Sequence, residues 1–251
     1  WADVARRIAH EIKNPLTPIQ LSAERLKRKY LQQIEAEPDI FLQCTDTIIR
    51  QVSDIGRMVD EFSAFARMPA AEMKIEDLCD IVRDSVFAEE FAHRDIDYRM
   101  QLHDAAALIR CDAQHLNRLL TNLLQNAREA IASHPEPADS GRIPGFIEVA
   151  ISVDEQGTDL YIRDNGIGFP TENRERLTEP YVTNREKGTG LGLAIVKKIM
   201  EEHGGRMRLD DADGGGAQIH LHFPALNAGE SSNGGSDDAK KDEDVELSNG
   251  A

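Results

Sequence analysis

The chain has 251 residues and a formal net charge of −16; 40% of its residues are hydrophobic and only 5% aromatic. That balance supports packed cores built on Leu, Ile and Ala. It excludes a sequence-independent grip on nucleic acid or anionic lipid, which needs a basic patch. Cys44, Cys79 and Cys111 are odd in number and lack metal-ligand spacing, so they read as reduced thiols of a cytosolic compartment.

Residues 1–67 carry two helical stripes. Ile8, Ile12, Ile19, Ala23, Leu26 and Tyr30 recur at spacings of three, four and seven, and Ile48, Val52, Ile55, Val59, Phe62 and Ala66 alternate four and three. Between them "EAEPD" is a polar turn, so the segment predicts an antiparallel helical hairpin. Two helices bury little by themselves, and the stripes point to a homodimeric four-helix bundle. The plainer alternative is a hairpin packed on the rest of its own chain. Trp1 is no initiator, and the helical pattern is already running there, so a fragment of a longer protein is expected. No apolar run is long enough to cross a bilayer. The expectation is the cytoplasmic portion of an inner-membrane protein, with any membrane segments in other parts of the parent.

One residue of the first stripe's helix looks misplaced. Counting about 100° per residue from Ile8, His10 falls at about 200° and Asn14 at about 240°, away from the stripe. His10 is followed by Glu11 and, five residues on, by Pro15, in "HEIKNPL". A lone exposed histidine on a helix is ordinarily just a surface residue.

Residues 68–74 read as a linker, 75–225 as a second domain and 226–251 as a disordered Gly/Ser-rich acidic tail. Within the second domain, 76–89 predicts a helix, and "IDYRMQL" and "LIRC" predict strands. Asp112 caps the helix "AQHLNRLLTNLLQNAREAIA". On that helix Leu116, Leu119, Leu120, Leu123, Leu124 and Ala127 form one face, while Asn122, Asn126 and Glu129 fall outside it. An amide oxygen suits Mg²⁺ and an amide NH₂ can donate to phosphate, although two asparagines four apart are usually a solvated face.

"FIEVAISV" and "TDLYIRD" pair across the "DEQG" turn, and the second runs into "DNGIGF". Gly166 and Gly168 allow close backbone approach to a flat ligand, and Asp164 offers acceptors at the strand end. An Asn-Gly turn alone is common in hairpins. Pro170–Lys187 is longer than an ordinary connection and alternates in charge, as a functional lid does, with Arg185 and Lys187 placed to reach phosphate. "KGTGLGL" then sets Gly188, Gly190 and Gly192 ahead of a helix predicted over Gly190–His203, whose first N–H groups attract phosphate. Neither the P-loop, the Rossmann nor the protein-kinase signature fits. "RMRLDD" and "AQIHLHF" complete a mixed sheet with helices on one face. The fold class is α+β: a two-helix hairpin followed by an α/β sandwich.

Taken in this order, the asparagine helix, "DNGIGF", the lid and "GTGLGL" resemble the ATP-binding domain shared by sensor histidine kinases and the gyrase, Hsp90 and MutL ATPases. "HEIKNPL" resembles the phosphoacceptor box of the histidine kinases, which the other groups lack. The resemblance covers residues 4–224, and its wording looks most like the nitrogen-regulation NtrY branch. It implies that Asn126 holds Mg²⁺, Asn122 assists the phosphates and Asp164 binds adenine. Gly166, Gly168, Tyr181, Arg185, Lys187 and the run Gly188, Thr189, Gly190, Leu191 and Gly192 complete the nucleotide site. Tyr181 stands where many relatives have phenylalanine, and Glu129 where some have a basic residue.

The resemblance further implies a homodimeric kinase that uses ATP and Mg²⁺ to phosphorylate His10 and passes the group to an aspartate of a response regulator. A neutral imidazole is a good nucleophile near its reference pKa of about 6.5. Glu11 can hold or take the Nδ1 proton, and Asn14 could position a hydrolytic water. Pro15 cannot donate to the carbonyl of Glu11, so a bend is expected just past the acceptor. The competing readings are a regulator phosphatase or scaffold that binds ATP, and a gyrase-type ATPase, against which "HEIKNP" speaks.

Overall fold

The computed structural model describes residues 2–66, 68–134, 145–183 and 188–226. The acidic tail expected over 226–251 lies outside the described residues apart from Asn227's neighbour Leu226, as do Arg185 and Lys187. Helix α1 (Ala2–Tyr30) and helix α2 (Pro38–Ala66) form the hairpin. Pro38 sits in the first turn of α2, where its missing N–H is no loss. The helices run antiparallel, tied by ion pairs of Lys13 with Asp60 and Lys27 with Asp46.

The seam between them differs from the predicted stripe. Ala9 and Ala23 of α1 are buried against Thr45, Val52, Val59 and Ser63 of α2. Ile8, Ile12, Ile19 and Leu26 lie beside the seam and remain 38% to 47% exposed. Of the predicted α1 stripe, Ala23 alone is buried. Small side chains take the positions where the two backbones approach, and the large ones flank them. His10 and Asn14 are exposed, as expected, although the stripe from which their angles were counted is itself largely exposed. The helix is assigned without interruption through Pro15 and Pro18, so the expected bend does not break it.

The α/β unit follows as β1 (Lys74–Asp77), α3 (Leu78–Ala92), β2 (Asp97–Gln101), β3 (Leu108–Cys111), α4 (Ala113–Ala132), β4 (Phe146–Val153), β5 (Gly157–Asp164), α5 (Gly192–Glu202), β6 (Arg206–Asp211) and β7 (Ala217–Pro224). The five-stranded sheet has the order β2-β4-β5-β7-β6, with β2 parallel to β4 and every other pair antiparallel. One sheet face packs on α3, α4 and α5 through Ile147, Val149, Leu160, Ile162, Leu221 and Phe223, all nearly inaccessible. The leucine face predicted on α4 is that core face. The helix predicted over 76–89 is corrected in part: Lys74–Asp77 is a strand paired with β3, and the helix begins at Leu78 because the Asp77 carboxylate accepts the Cys79 N–H.

Asp112 caps α4 as expected, its Oδ1 accepting Gln114 N–H at 2.9 Å and its Oδ2 accepting Glu72 N–H at 2.8 Å. Burial works against its charge, but these backbone donors outweigh burial and hold its pKa below the usual carboxylate range.

The start of α4 is also tied to the end of α5. His203 Nδ1 lies 2.7 Å from the carbonyl of Ile199, and its Nε2 accepts the Asp112 N–H at 3.0 Å. With Nδ1 donating, Nε2 can accept only in the neutral ring. Burial lowers the pKa of His203; Asp112 and Glu202 oppose that shift, while nearby His115 adds to it. The unfolded histidine therefore takes up a proton at a pH where the folded one does not. The stabilisation from this tie is complete above the unfolded value of about 6.5 and declines as pH falls toward the folded value. Thermal melts should show a lower midpoint at about pH 5.5 than at about pH 7.5. In His203→Phe the pH slope should shrink, with a baseline loss of about 1–3 kcal/mol from the unpaired Asp112 N–H. An unchanged slope in the variant would show that this histidine is not the titrating tie.

Candidate functional site

A cavity of about 350 Å³ opens where the C-terminal end of β5 meets α4, the glycine segment and the last turns of α2. Strand alternation explains its acidic residue. The period of two that turns Leu160 and Ile162 into the core turns Asp164 the same way, at the strand's last position. Asp164 is 6% exposed, and its Oδ1 accepts Gly166 N–H at 2.8 Å. Gly166 is needed for close approach: a Cβ there would lie 2.5 Å from the Ala130 backbone. The turn closes on α4 with Ile167 N–H donating to the carbonyl of Ala130 at 3.2 Å. Next to it Asn165 accepts the Phe146 N–H at 2.8 Å, so this asparagine serves the fold.

Asn122 and Asn126 stand one turn apart on α4, beside its leucine face, and both line the cavity. Asn122 Nδ2 donates to the carbonyl of Arg118 at 2.8 Å. Across the cavity α5 begins at Gly192, two residues later than predicted, because Gly190 has φ +69°, outside the helical region. A Cβ at Gly192 would come 3.3 Å from Asn126 Nδ2 and 3.4 Å from Asn122 Oδ1, so the glycine lets the first turn of α5 approach both amides. Gly168, Gly188, Thr189, Gly190 and Gly192 all line the cavity with Asp164 and the two asparagines.

Three predicted residues do not face it. Leu191 is fully buried in the core. Gly166 packs on α4. Tyr181, at φ +67°, donates its N–H to the carbonyl of Gly190 at 3.0 Å and sets its ring 6.4 Å from Phe62 of α2. Ile167 and Phe169 of the "DNGIGF" stretch, together with Ile219, supply apolar walls, a role that the sequence alone did not assign to them. Arg57 and Glu61 of α2 also line it, and the Thr189 hydroxyl donates to the Glu61 carboxylate. Both charged residues lie off the apolar stripe of α2, and no sequence signal separates them from the helix's solvent face.

His10, Glu11 and Asn14 lie on α1, outside the cavity and exposed. The pairing of Lys13 with Asp60 sets His10 at the level of Ser63, within about two helical turns of Arg57. Glu11 accepts from Arg7 Nε at 3.2 Å, an exposed pair one turn apart. Among the described residues no group of His, Cys, Asp and Glu is arranged to hold a metal ion by itself, and no helix is long and apolar enough to cross a membrane.

An acidic strand end, an amide pair and a glycine-led helix thus converge on one cavity, on a mixed sheet backed by helices. Residues 111–227 match the family described as histidine kinase-, DNA gyrase B- and HSP90-like ATPase. Residues 1–71 match the His Kinase A (phospho-acceptor) domain. The chain belongs to the sensor histidine kinases. It is 56% identical over 229 residues to the nitrogen regulation protein NtrY of Azorhizobium caulinodans, covering 90% of this chain and 29% of that one. An NtrY-like protein of Rickettsia conorii is 40% identical over 89% of this chain and 36% of its own. The chain thus spans about a third of the length of these relatives. Among solved structures, the mycobacterial sensor histidine kinase MprB matches with a TM-score of 0.51 and 27% identity, over 61% of this chain and 97% of that one. Full-length ShkA, at 21% identity, shares the fold over 90% of this chain and 47% of its own, with a TM-score of 0.61.

Proposed function

We propose that this chain is the cytoplasmic core of an NtrY-like sensor kinase. It binds ATP in the cavity at the end of β5, phosphorylates itself on His10 and passes the phosphoryl group to a response-regulator aspartate. The observation that carries this reading is the convergence of Asp164, Asn122, Asn126 and the Gly188–Gly192 run on one cavity, in a chain whose exposed His10 lies on a phospho-acceptor hairpin. In this reading residues 1–67 are the acceptor unit and 75–225 the nucleotide unit.

The donor set fits Mg²⁺ bound with a nucleotide. Asn126 offers a hard amide oxygen at the cavity wall, and such an ion takes few protein ligands beside phosphate and water. When bound, the ion neutralises charge on the phosphates. The chain's own part is to seat adenine against Asp164, hold the phosphates along the start of α5 and present the His10 imidazole. Glu11 takes or holds the Nδ1 proton of His10. The exposed Ile8, Ile12, Ile19, Ile48 and Ile55 form the face that a second copy covers in a homodimer. Incubation with γ-labelled ATP should give an acid-labile, base-stable label; a base-labile or absent label would exclude phosphohistidine.

The adenine assignment has its own test. An ionised carboxylate is acceptor-only, and adenine offers an exocyclic NH₂ where guanine presents a carbonyl. GTP would set two buried acceptors together, at a cost of about 1–3 kcal/mol. ATP should therefore bind at least about tenfold tighter than GTP. Asp164→Asn keeps the shape, and its amide can turn a donor toward guanine, so ATP should weaken and the gap to GTP should narrow. Calorimetric titration of both nucleotides into both proteins decides it; an unchanged ATP affinity in the variant would return Asp164 to an ordinary turn residue.

A further inference from the structure

The wall of the nucleotide cavity contains two charged residues that belong to the hairpin, Arg57 and Glu61. Glu61 does more than border it. Its carboxylate accepts the hydroxyl of Thr189, inside the glycine run that leads into α5. The same hydroxyl receives the Leu191 N–H at 3.4 Å, so the contact joins α2 to the backbone ahead of α5. Arg118, one turn before Asn122, also feels Glu61: burial lowers the guanidinium's pKa, and the Glu61 charge opposes that fall. The neighbouring Phe62 packs on the α/β core and meets the Tyr181 ring, which holds Glu61 in place. Arg57 at the rim is paired with Asp54 at 2.6 Å.

A carboxylate oxygen and a phosphate oxygen seek the same partners, namely hydroxyl donors and guanidinium groups. Glu61 holds the Thr189 hydroxyl, and lies within electrostatic reach of Arg118, at the end of the cavity where the glycine run and the asparagine amides converge. We propose that Glu61 is a built-in competitor for the phosphate end of the nucleotide site. It occupies Thr189 while the α/β unit rests on α2, and the polyphosphate must displace it. The proposal rests on the reading of the cavity as an ATP site and adds its regulation. Because linkage is reciprocal, a hairpin movement that withdraws Glu61 tightens nucleotide binding, and bound nucleotide loosens α2 by the same factor.

The test is calorimetric titration of ATP and of adenosine into the full 251-residue chain and its Glu61→Gln variant. Removing the charge while keeping the shape should tighten ATP by roughly 5–20-fold, the low end of coupling between sites. Adenosine, which carries no phosphate, should bind both proteins equally. Phe62→Ala, which weakens the hold of α2 on the α/β core, should reproduce the ATP gain, and Glu61→Gln should add little on top of it. ATP affinity that is unchanged or weaker in Glu61→Gln overturns the proposal. An equal gain for adenosine also overturns it, since that would be steric blocking rather than competition of charge. A parent chain that binds no ATP would instead remove the nucleotide reading underneath, an outcome distinct from both.

Discussion

In His10→Gln, label from γ-labelled ATP should fall to background while ATP binding is unchanged. The expectation rests on comparing the eight histidines of the chain. His134 is exposed just past the end of α4, but its sequence neighbours Ser133 and Pro135 offer no carboxylate. His115 and His203 are buried, 5% and 7% exposed. His220 and His222 both engage the Asp159 carboxylate, at 2.7 and 2.9 Å, on the sheet face away from the helices. His93 lies 3.8 Å from Glu89, and the His103 ring is within 3.1 Å of the Ala105 carbonyl. His10 combines exposure with an adjacent carboxylate on the helix of the phospho-acceptor domain. It is not among the residues that line the cavity, so glutamine there is expected to leave the nucleotide site intact. Acid-labile label persisting in the variant would move the acceptor to another histidine.

Glu11→Ala should slow autophosphorylation by roughly 10²–10⁴-fold, the usual span for loss of a general base. In the structure Glu11 is turned toward Arg7 rather than toward His10, with both side chains well exposed. An exposed pair one turn apart on a helix contributes only about 0.3–0.5 kcal/mol, so exchanging Arg7 for the His10 ring costs little. Arg7→Ala should accordingly leave the rate close to that of the parent. Asn14→Ala should spare autophosphorylation and reduce dephosphorylation of the regulator. Single-turnover labelling and a regulator dephosphorylation assay separate the two activities. Equal loss of both in Glu11→Ala and Asn14→Ala would assign these residues to helix geometry instead of chemistry.

The parts of the site that the sequence made legible are those set by short contiguous stretches and local periodicity. Asp164 could be found because it ends a strand that runs into "DNGIGF", and Asn122 with Asn126 because a helix places residues four apart on one side. The cap at Asp112 is local too. The rest depends on how separate segments meet. Periodicity marks Ile8, Ile12 and Ile19 as apolar but cannot say whether they face the partner helix or lie beside the seam, and in the structure they lie beside it. The four residues of β1 are too few to show alternation, and they become a strand only against β3. Glu61 and Thr189 are far apart in the chain, as are His203 and Asp112, and no local pattern announces either contact.

The seam of the hairpin has a mechanical consequence. Among the described residues its buried side chains are Ala9, Ala23, Thr45 and Ser63, with Val52 and Val59 the larger ones. Bulky knobs seated in holes would index one helix against the other, so that turning either required a jump of register. A shallow seam of small groups behaves more like a plain bearing. Torque applied at one end of α1 can turn the helix about its own axis by small angles without unseating a large side chain. His10 is carried on the outside of that shaft, where a small rotation changes its direction most. A twist applied at the start of α1 would thus be read out as the azimuth of the His10 imidazole.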